Sequence, residues 1–222
     1  KEIFIAVYCF VNQKGVFSIP TSRTHYSLLL HSKGHSVAVI DCDAQKSSAI
    51  WVEAMRSDSF DIPVFTLTTP DDVLEQVPDI SDQHDYVVID GPGGISELTR
   101  AILLVSDVAL VPCQPSGLDI RSGSDAVRLI KQAQKVRQGE PVAALFLSRA
   151  VKGTTLKDEA LAVLNELGYP VLSTVIHQRQ AIADSFGQQA TVFDMGGRAA
   201  SDCAREYDKL FKEIQTLWPA KS

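Results

Sequence analysis

The stretch SVAVIDCDAQ, residues 36–45, decides the fold that this sequence adopts. It begins as an unbroken apolar run and ends with two carboxylates, Asp41 and Asp43. A strand that is apolar on both faces is typical of a parallel sheet covered by helices on both sides. The carboxylates therefore stand at the carboxyl end of a strand, where open parallel sheets bind their ligands.

The same pattern continues on both sides of this stretch, because apolar runs alternate with segments of helical periodicity. The predicted strands cover residues 3–11, 36–41, 62–67, 86–90, 108–111, 142–147 and 170–175. The predicted helices cover residues 22–33, 47–55, 70–76, 96–105, 119–138, 156–167 and 181–186, with a last helix through Cys203, Tyr207 and Ile214. We expect an α/β fold, a doubly wound and mostly parallel sheet with helices on both faces, forming a single domain over residues 1–222.

Composition and charge narrow the class of protein. With 222 residues, of which 45% are hydrophobic and 22% charged, the chain has the composition of a folded globular domain. No apolar run reaches the roughly 18–20 residues of a membrane span, so we expect a cytoplasmic protein with no such span. The net charge of −6 disfavours nucleic-acid binding over the whole surface, although it allows a local basic patch.

Neither cysteines nor histidines indicate a metal site. No Cys-x-x-Cys pair occurs, and each cysteine lies in or beside an apolar segment, which predicts reduced and buried thiols. The five histidines lack the spacing of metal ligands, so we expect them at the surface or at helix ends. No Gly-x-Ser-x-Gly motif supports acyl-transfer chemistry.

Polar residues follow three of the predicted strands. Residues 12–15 read Asn-Gln-Lys-Gly, Asp41 and Asp43 follow the second strand, and Asp90 opens the turn Asp-Gly-Pro-Gly-Gly. One carboxylate can hold a magnesium-bound water, and a second can orient a water for phosphoryl transfer. A strand-terminal aspartate can instead cap the following helix. Three neighbouring strand ends together favour a site for a phosphate and Mg²⁺.

These motifs, in this order, resemble the ParA/MinD family of deviant Walker ATPases. The likeness covers nearly the whole chain, through residues 12–15, 34–45, 86–90, 110–119 and 174–194. It implies a P-loop NTPase-like fold, ATP and Mg²⁺ as cofactors, and a homodimer with nucleotide sandwiched between the subunits. It also implies slow ATP hydrolysis, nonspecific DNA binding and an adaptor protein that stimulates hydrolysis. Its cargo would be a plasmid, a chromosome or a protein microcompartment.

The resemblance also implies roles for individual residues. Lys14 matches the signature lysine that reaches the partner's phosphate, and Asp43 matches the carboxylate that positions the attacking water. Asp41 and Asp90 match the acidic residues near Mg²⁺. Residues that the resemblance places beside the nucleotide are Gly15, Thr21, Pro115, Gln178 and Arg179.

The phosphate loop departs from the family pattern. The family reads Lys-Gly-Gly-x-Gly-Lys-Thr-Thr, whereas residues 14–21 read KGVFSIPT. The phosphate-binding lysine is replaced by Ile19, which carries no charge. Pro20 stands at the Mg²⁺-binding hydroxyl and removes a backbone donor. Val16 and Ser18 replace two glycines.

An alternative register places Arg23 and Thr24 at the lysine and threonine positions, which would shorten the following helix by about a turn. Three explanations of the departure stay open. The loop is degenerate and binds nucleotide weakly or not at all; other residues compensate for it; or residues 16–24 differ from those of the natural protein. Lys152, just past a strand end, is the candidate for compensation, with a solvated loop lysine as the simpler interpretation.

A basic stripe near the end of the chain is the candidate DNA surface. Arg205, Lys209 and Lys212 could contact DNA phosphates without reading sequence. Glu206 and Glu213 are interleaved with them and weaken the stripe, and an ordinary solvated helix face is the alternative.

Three functions compete on the sequence. The first is a ParA-like ATPase that dimerises on ATP, binds DNA nonspecifically and positions a cargo. The second is a nucleotide-free scaffold or regulatory protein that keeps only the fold. The third is a metabolic P-loop enzyme such as a dethiobiotin synthase-like ligase, which is disfavoured because residues 174–194 resemble partition proteins more closely.

Overall fold

One parallel sheet organises the chain. The computed structural model describes residues 6–12, 21–56, 60–115 and 117–217. Its strands are β1 (Ala6–Asn12), β2 (Val37–Asp41), β3 (Val64–Thr66), β4 (Tyr86–Gly93), β5 (Val108–Cys113) and β6 (Val142–Leu147). They pair in the order β3-β2-β4-β1-β5-β6, and every pairing is parallel.

Helices cover both faces of this sheet. Within the described ranges they are α1 (Thr21–Ser32), α2 (Ser47–Ala54), α3 (Pro70–Ser81), α4 (Glu97–Val105), α5 (Gly117–Val136), α6 (Leu156–Asn165), α7 (Gln180–Gly187) and α8 (Arg198–Leu217). The predicted fold class, α/β with a doubly wound parallel sheet, is confirmed. None of these helices is both long and apolar enough to cross a lipid bilayer.

The central strand β1 shows why the strands are apolar throughout. Val7, Cys9 and Val11 point into a core shared with α3, α4, α5 and α6. Tyr8 and Phe10, one residue out of phase, point into a second core shared with α1, α7 and α8. Each large side chain buried in this way contributes about 1.5–3 kcal/mol relative to an exposed one. Both faces of the sheet are therefore stabilised by burial.

The four cysteines are free and buried, as predicted. Burial raises the pKa of the Cys9 thiol to about 12, and it raises the pKa of Cys42 further. Neutral thiols of this kind pack as small apolar groups and react slowly.

His25 is fully buried, which corrects the expectation that the histidines lie at the surface or at helix ends. Its ring stacks on Tyr207 of α8, with 4.7 Å between centroids and 4° between planes. Its Nε2 accepts a hydrogen bond of 3.1 Å from the Val192 amide. A histidine on the inner face of α1 is thus a core residue that joins α1 to α8 and to the segment after α7. His84, in contrast, binds the Ile80 carbonyl at the end of α3, as expected.

Helix α3 runs five residues beyond its predicted end. Thr69 caps its first turn by accepting a hydrogen bond of 3.1 Å from the Asp72 amide. The predicted end at Gln76 precedes Pro78, which cannot donate the helical hydrogen bond. The helix continues to Ser81 since Val77 and Ile80 lie on its buried face. Burial therefore outweighs the one missing bond.

Residues 170–175 do not form the predicted strand. They make one isolated bridge, between Val171 and Leu145 of β6. The Thr174 amide donates to Glu213 of α8 at 3.0 Å, and the Ser173 hydroxyl donates to the same carboxylate. The Glu213 carboxylate thus binds the Thr174 amide, which in a regular seventh strand would donate to a neighbouring strand.

A second carboxylate of α8 fastens the same segment further on. Glu206 accepts two hydrogen bonds from the Arg179 guanidinium, at 2.5 and 2.6 Å. It also accepts from the amide and the ring Nδ1 of His177, at 3.0 and 2.9 Å. Burial alone would raise the pKa of Glu206, but these donors outweigh it and hold that pKa below its ordinary value.

Gly91 lies on β4 close to the backbone of β1. A Cβ added there would meet the Phe10 carbonyl oxygen at 3.0 Å. The pairing also shifts here, because Phe10 pairs with Asp90 while Asn12 pairs with Gly93. Such a bulge next to a strand end is common at functional sites. A Cβ at Gly93 would meet no described atom within 4 Å.

We expect Gly91→Ala to destabilise the protein by about 1–3 kcal/mol, since β1 is held on both sides and cannot move away. Gly93→Ala is the matched control and should change stability by less than about 0.5 kcal/mol. Urea unfolding measures both free energies. Equal effects of the two substitutions would contradict the close approach of the strands.

We expect Glu206→Gln to cost about 1–3 kcal/mol of unfolding free energy at neutral pH, because it removes a charged acceptor. A carboxyl with a lowered folded pKa stabilises above the unfolded pKa, about 4.3 for glutamate, and this contribution is lost as pH falls towards the folded pKa. The difference in unfolding free energy between Glu206→Gln and the original protein should therefore decrease in acid. Glu166→Gln, at an exposed position, is the control for urea unfolding measured across this pH range. A difference that stays constant in acid would argue against a stabilising role of the Glu206 carboxylate.

Candidate functional site

Two aspartates meet at the centre of the carboxyl edge of the sheet. Asp41 ends β2 and Asp90 lies near the end of β4, and the two residues are direct partners in the pairing of these strands. Their exposed fractions are 0% and 1%. Neighbouring strands lie about 4.8 Å apart, so two buried carboxylates share one small volume. The carboxyl ends of these two parallel strands thus bring together two of the predicted acidic residues.

Backbone amides bind Asp41 and Asp43. The Oδ1 of Asp41 accepts from the Asp43 amide at 3.0 Å, and its Oδ2 accepts from the Ala49 amide in the first turn of α2 at 2.8 Å. Asp43 is half-buried, and its Oδ1 accepts from the Gln45 amide at 2.9 Å. Asp41 therefore acts as a cap of α2, the alternative role that the sequence left open for a strand-terminal aspartate.

Asp90 is bound by side chains from two helices. The Ser48 hydroxyl in α2 donates to its Oδ2 at 2.5 Å. Its Oδ1 makes an ion pair with Nη1 of Arg23, a residue in the first turn of α1 that is only 9% exposed. This oxygen accepts no hydrogen bond from the described residues, so the contact is one of charge rather than of hydrogen-bond geometry.

Sequence reasoning did not assign Ser48 or the pairing of Arg23 with Asp90. The alternative register singled out Arg23, but as a substitute for the phosphate-binding lysine in a shortened helix. Helix α1 instead begins at Thr21, so it is not shortened. One signal in the sequence could have indicated this ion pair. Arg23 is a basic residue in the helical turn after β1, and β1 is the neighbour of β4, the strand that carries Asp90.

Burial dominates the protonation of Asp90. Desolvation raises its pKa to about 6, although the charge of Arg23 and the hydrogen bond from Ser48 lower it, while Asp41 and Asp43 raise it again. Arg23 and Ser48 therefore favour the charged carboxylate and oppose the effect of burial.

The described residues around Asp90 do not fit a magnesium ion. Mg²⁺ needs about six oxygen ligands in an octahedron. A guanidinium has only donors and cannot be a ligand, and that of Arg23 faces one oxygen of Asp90 while Ser48 binds the other. No cluster of three or more acidic, histidine or cysteine side chains in the described ranges has the arrangement of a metal site.

The predicted phosphate loop can be placed only in part. Lys14 and Gly15 lie outside the described residues, so the structure does not test their predicted roles. Thr21 begins α1, but its side chain also lies outside the described part. Of the polar residues predicted to form a site at the three strand ends, the structure therefore describes the aspartates but not Lys14.

The other residues predicted beside the nucleotide, Pro115, Gln178 and Arg179, lie towards the β6 edge of the sheet, as does Lys152. Pro115 follows β5 and is half-buried, and Lys152 is exposed in the loop after β6. The Gln178 amide donates to the Ala150 carbonyl at 2.9 Å, which holds the segment of Gln178 against the loop after β6. Since β1 and β5 separate β4 from β6, Lys152 follows a strand about 14 Å from that of Asp90.

Arg179 and Lys152 both have acidic neighbours on α8. The guanidinium of Arg179 makes the ion pair with Glu206 that is described above. The hydrogen bond from Arg205 lowers the pKa of Asp202, and the charges of Arg179 and Lys152 lower it further. The structure thus gives Arg179 a role in fastening its segment to α8.

The predicted DNA surface on α8 is partly neutralised. Arg205 makes an ion pair with Asp202, and Lys212 makes one with Asp208 at 2.7 Å. Lys209 is exposed between them. The acidic partners in the stripe are therefore Asp202 and Asp208, whereas Glu206 and Glu213, which the sequence had suggested, bind the segment that follows β6.

Comparison with known proteins supports the resemblance. The family model of the VirC1 protein matches residues 7–195. Maintenance of carboxysome distribution protein A from Halothiobacillus neapolitanus is 26% identical over 205 residues, which cover 91% of this chain and 93% of the relative. A ParA protein from Rhizobium radiobacter is 27% identical over 129 residues, which cover 56% of this chain and 55% of the relative.

Solved structures share the fold. The ATP complex of a McdA variant from Cyanothece superimposes with a TM-score of 0.77 at 14% identity, covering 98% of each chain. The cell division ATPase MinD from Pyrococcus furiosus gives a TM-score of 0.71 at 19% identity, covering 96% of this chain and all of that one. These similarities confirm the predicted likeness to ParA and MinD, and since the family model spans most of its length, this chain belongs to the VirC1 protein family.

Proposed function

We propose that this chain is a ParA-like positioning protein that uses ATP to move or distribute a large cargo. The observation that carries the proposal is the likeness to maintenance of carboxysome distribution protein A over 91% of the chain. The name of this relative points to carboxysomes as one class of cargo, and the resemblance to partition ATPases adds plasmids and chromosomes. In this proposal an adaptor protein links the chain to its cargo and stimulates hydrolysis.

The site supports phosphoryl chemistry at one position. Asp43 is half-buried and held by the Gln45 amide, so its second oxygen can orient a water while its backbone stays in place. Asp41 and Asp90 beside it make the strand ends strongly acidic. We assign weak ATPase activity to Lys14 and Asp43, with Gly15, Thr21, Pro115, Gln178 and Arg179 beside the nucleotide.

Two chains would meet over the nucleotide in this proposal. The signature lysine Lys14 would reach the phosphate of the partner, as the resemblance implies. Lys152 is the other candidate for a contact with phosphate, in its own subunit or across the dimer. DNA would bind to the dimer through Arg205, Lys209 and Lys212, and the protein would then act in the cytoplasm on the nucleoid.

A second candidate function rests on a specific observation. Arg23 and Ser48 bind Asp90, and backbone amides bind Asp41, so these buried acids have partners within the chain itself. A scaffold or regulatory protein that keeps the fold without nucleotide would have such a site. The missing lysine and hydroxyl at Ile19 and Pro20 agree with this reading.

We expect ATP to bind and to convert the chain from monomer to dimer, measured by calorimetry and by light scattering after gel filtration. Asp43→Asn keeps an oxygen for the Gln45 amide but loses the charge, so the dimer should form while hydrolysis falls by about a hundredfold or more. If excess ATP produces neither heat of binding nor a dimer, the result favours the nucleotide-free scaffold. Unchanged hydrolysis in the variant would remove Asp43 from its proposed role.

We expect Lys152→Ala to weaken ATP-dependent dimerisation by about tenfold, equivalent to about 1.4 kcal/mol, if this lysine reaches phosphate. Lys157→Ala is the matched control, because Lys157 lies five residues along the chain and pairs with Asp158 at 3.4 Å. Light scattering over a range of ATP concentrations compares the two variants. Identical behaviour would leave Lys152 a solvated loop lysine.

A further inference from the structure

Arg23 is a buried part of the acidic site and not a surface residue. It lies in the first turn of α1, where only 9% of the residue is exposed. Its guanidinium meets Asp90, whose exposed fraction is 1%. A buried charge without a partner costs several kcal/mol, so each member of this pair holds the other in place.

The remaining oxygens of the two central carboxylates have donors from the chain. Ser48 donates to Asp90, and the amides of Asp43 and Ala49 donate to the two oxygens of Asp41. Two neighbouring buried carboxylates need positive charge nearby. In the described part of the chain Arg23 supplies that charge at contact distance.

The ion pair lies where a divalent cation would have to bind. An ion held by Asp90 would approach the oxygen that Arg23 faces, and a guanidinium at that oxygen repels a cation and offers it no ligand. The hydroxyl that the family pattern supplies to magnesium is also absent from the sequence, because Pro20 stands in its position. Charge, ligand type and sequence therefore agree.

We propose that the guanidinium of Arg23 takes the place of magnesium at Asp90, so that this chain binds its phosphate ligand without a divalent metal. A guanidinium carries five N–H donors in a planar fork that also fits phosphate. One edge of it can face Asp90 while another faces an anionic oxygen. The phosphate part of this inference rests on the proposed function, whereas the exclusion of metal from Asp90 does not.

The first test uses the metal alone and needs no nucleotide. Mn²⁺ is titrated into the original protein and into Asp90→Asn, and binding is followed by the relaxation of water protons. We expect the two proteins to give the same titration, because Arg23 keeps the metal from Asp90. A site that the original protein shows and Asp90→Asn lacks would overturn the inference.

The second test measures ATP affinity with Mg²⁺ and with EDTA. We expect the original protein to bind equally well in both, within about threefold, and Arg23→Met to lose about tenfold or more in EDTA. Arg23→Lys should restore part of the loss, since it returns the charge without the fork. Arg56→Met, at an exposed arginine paired with Asp61, is the control and should bind as the original does.

The outcomes separate the two proposals. A magnesium requirement in the original protein, or unchanged ATP binding by Arg23→Met in EDTA, would overturn the role of Arg23. If ATP does not bind under either condition, the proposed function fails, and the Mn²⁺ titration still decides whether Arg23 excludes metal. Should Arg23→Met not fold, the double variant Arg23→Met/Asp90→Asn removes both charges together and serves in its place.

Discussion

The buried carboxylate of Asp90 is the constraint on which the rest of the site depends. It lies in the middle of a parallel sheet with almost no contact with solvent, where a charge without a partner would cost several kcal/mol. Arg23 of α1 and Ser48 of α2 both turn towards it. The starts of two helices are therefore oriented by one side chain of β4, and the functional edge of the sheet is organised by charge as well as by burial.

Helix α8 holds the opposite part of the molecule by the same kind of contact. Its carboxylates Glu206 and Glu213 bind backbone amides of the segment that follows β6, while the amides of Leu172 and Ile176 in that segment donate to carbonyls of β6. The stacking of His25 on Tyr207 then joins α8 to α1. Since α1 also carries Arg23, the packing of the last helix and the charge balance of the acidic site are connected through one helix.

Membership of the VirC1 family does not by itself define the chemistry of this chain. The acidic residues that the family resemblance predicted are present at the expected strand ends, while the phosphate loop has lost its lysine, its hydroxyl and two glycines. A site that keeps its carboxylates but loses the groups that hold magnesium has to balance the negative charge in another way. Arg23 meets this requirement from within the fold, which explains why the acids can persist beside an altered loop.

The sequence alone determined the fold class and the place of Asp41, Asp43 and Asp90, because apolar strands followed by polar residues have one favourable arrangement in a parallel sheet. It could not determine the partner of Asp90, the burial of His25 or the fate of residues 170–175. Each of these depends on a contact between residues far apart in the chain, such as Thr174 with Glu213. Local patterns report periodicity and turns, whereas the tertiary structure decides which donor reaches which buried acceptor.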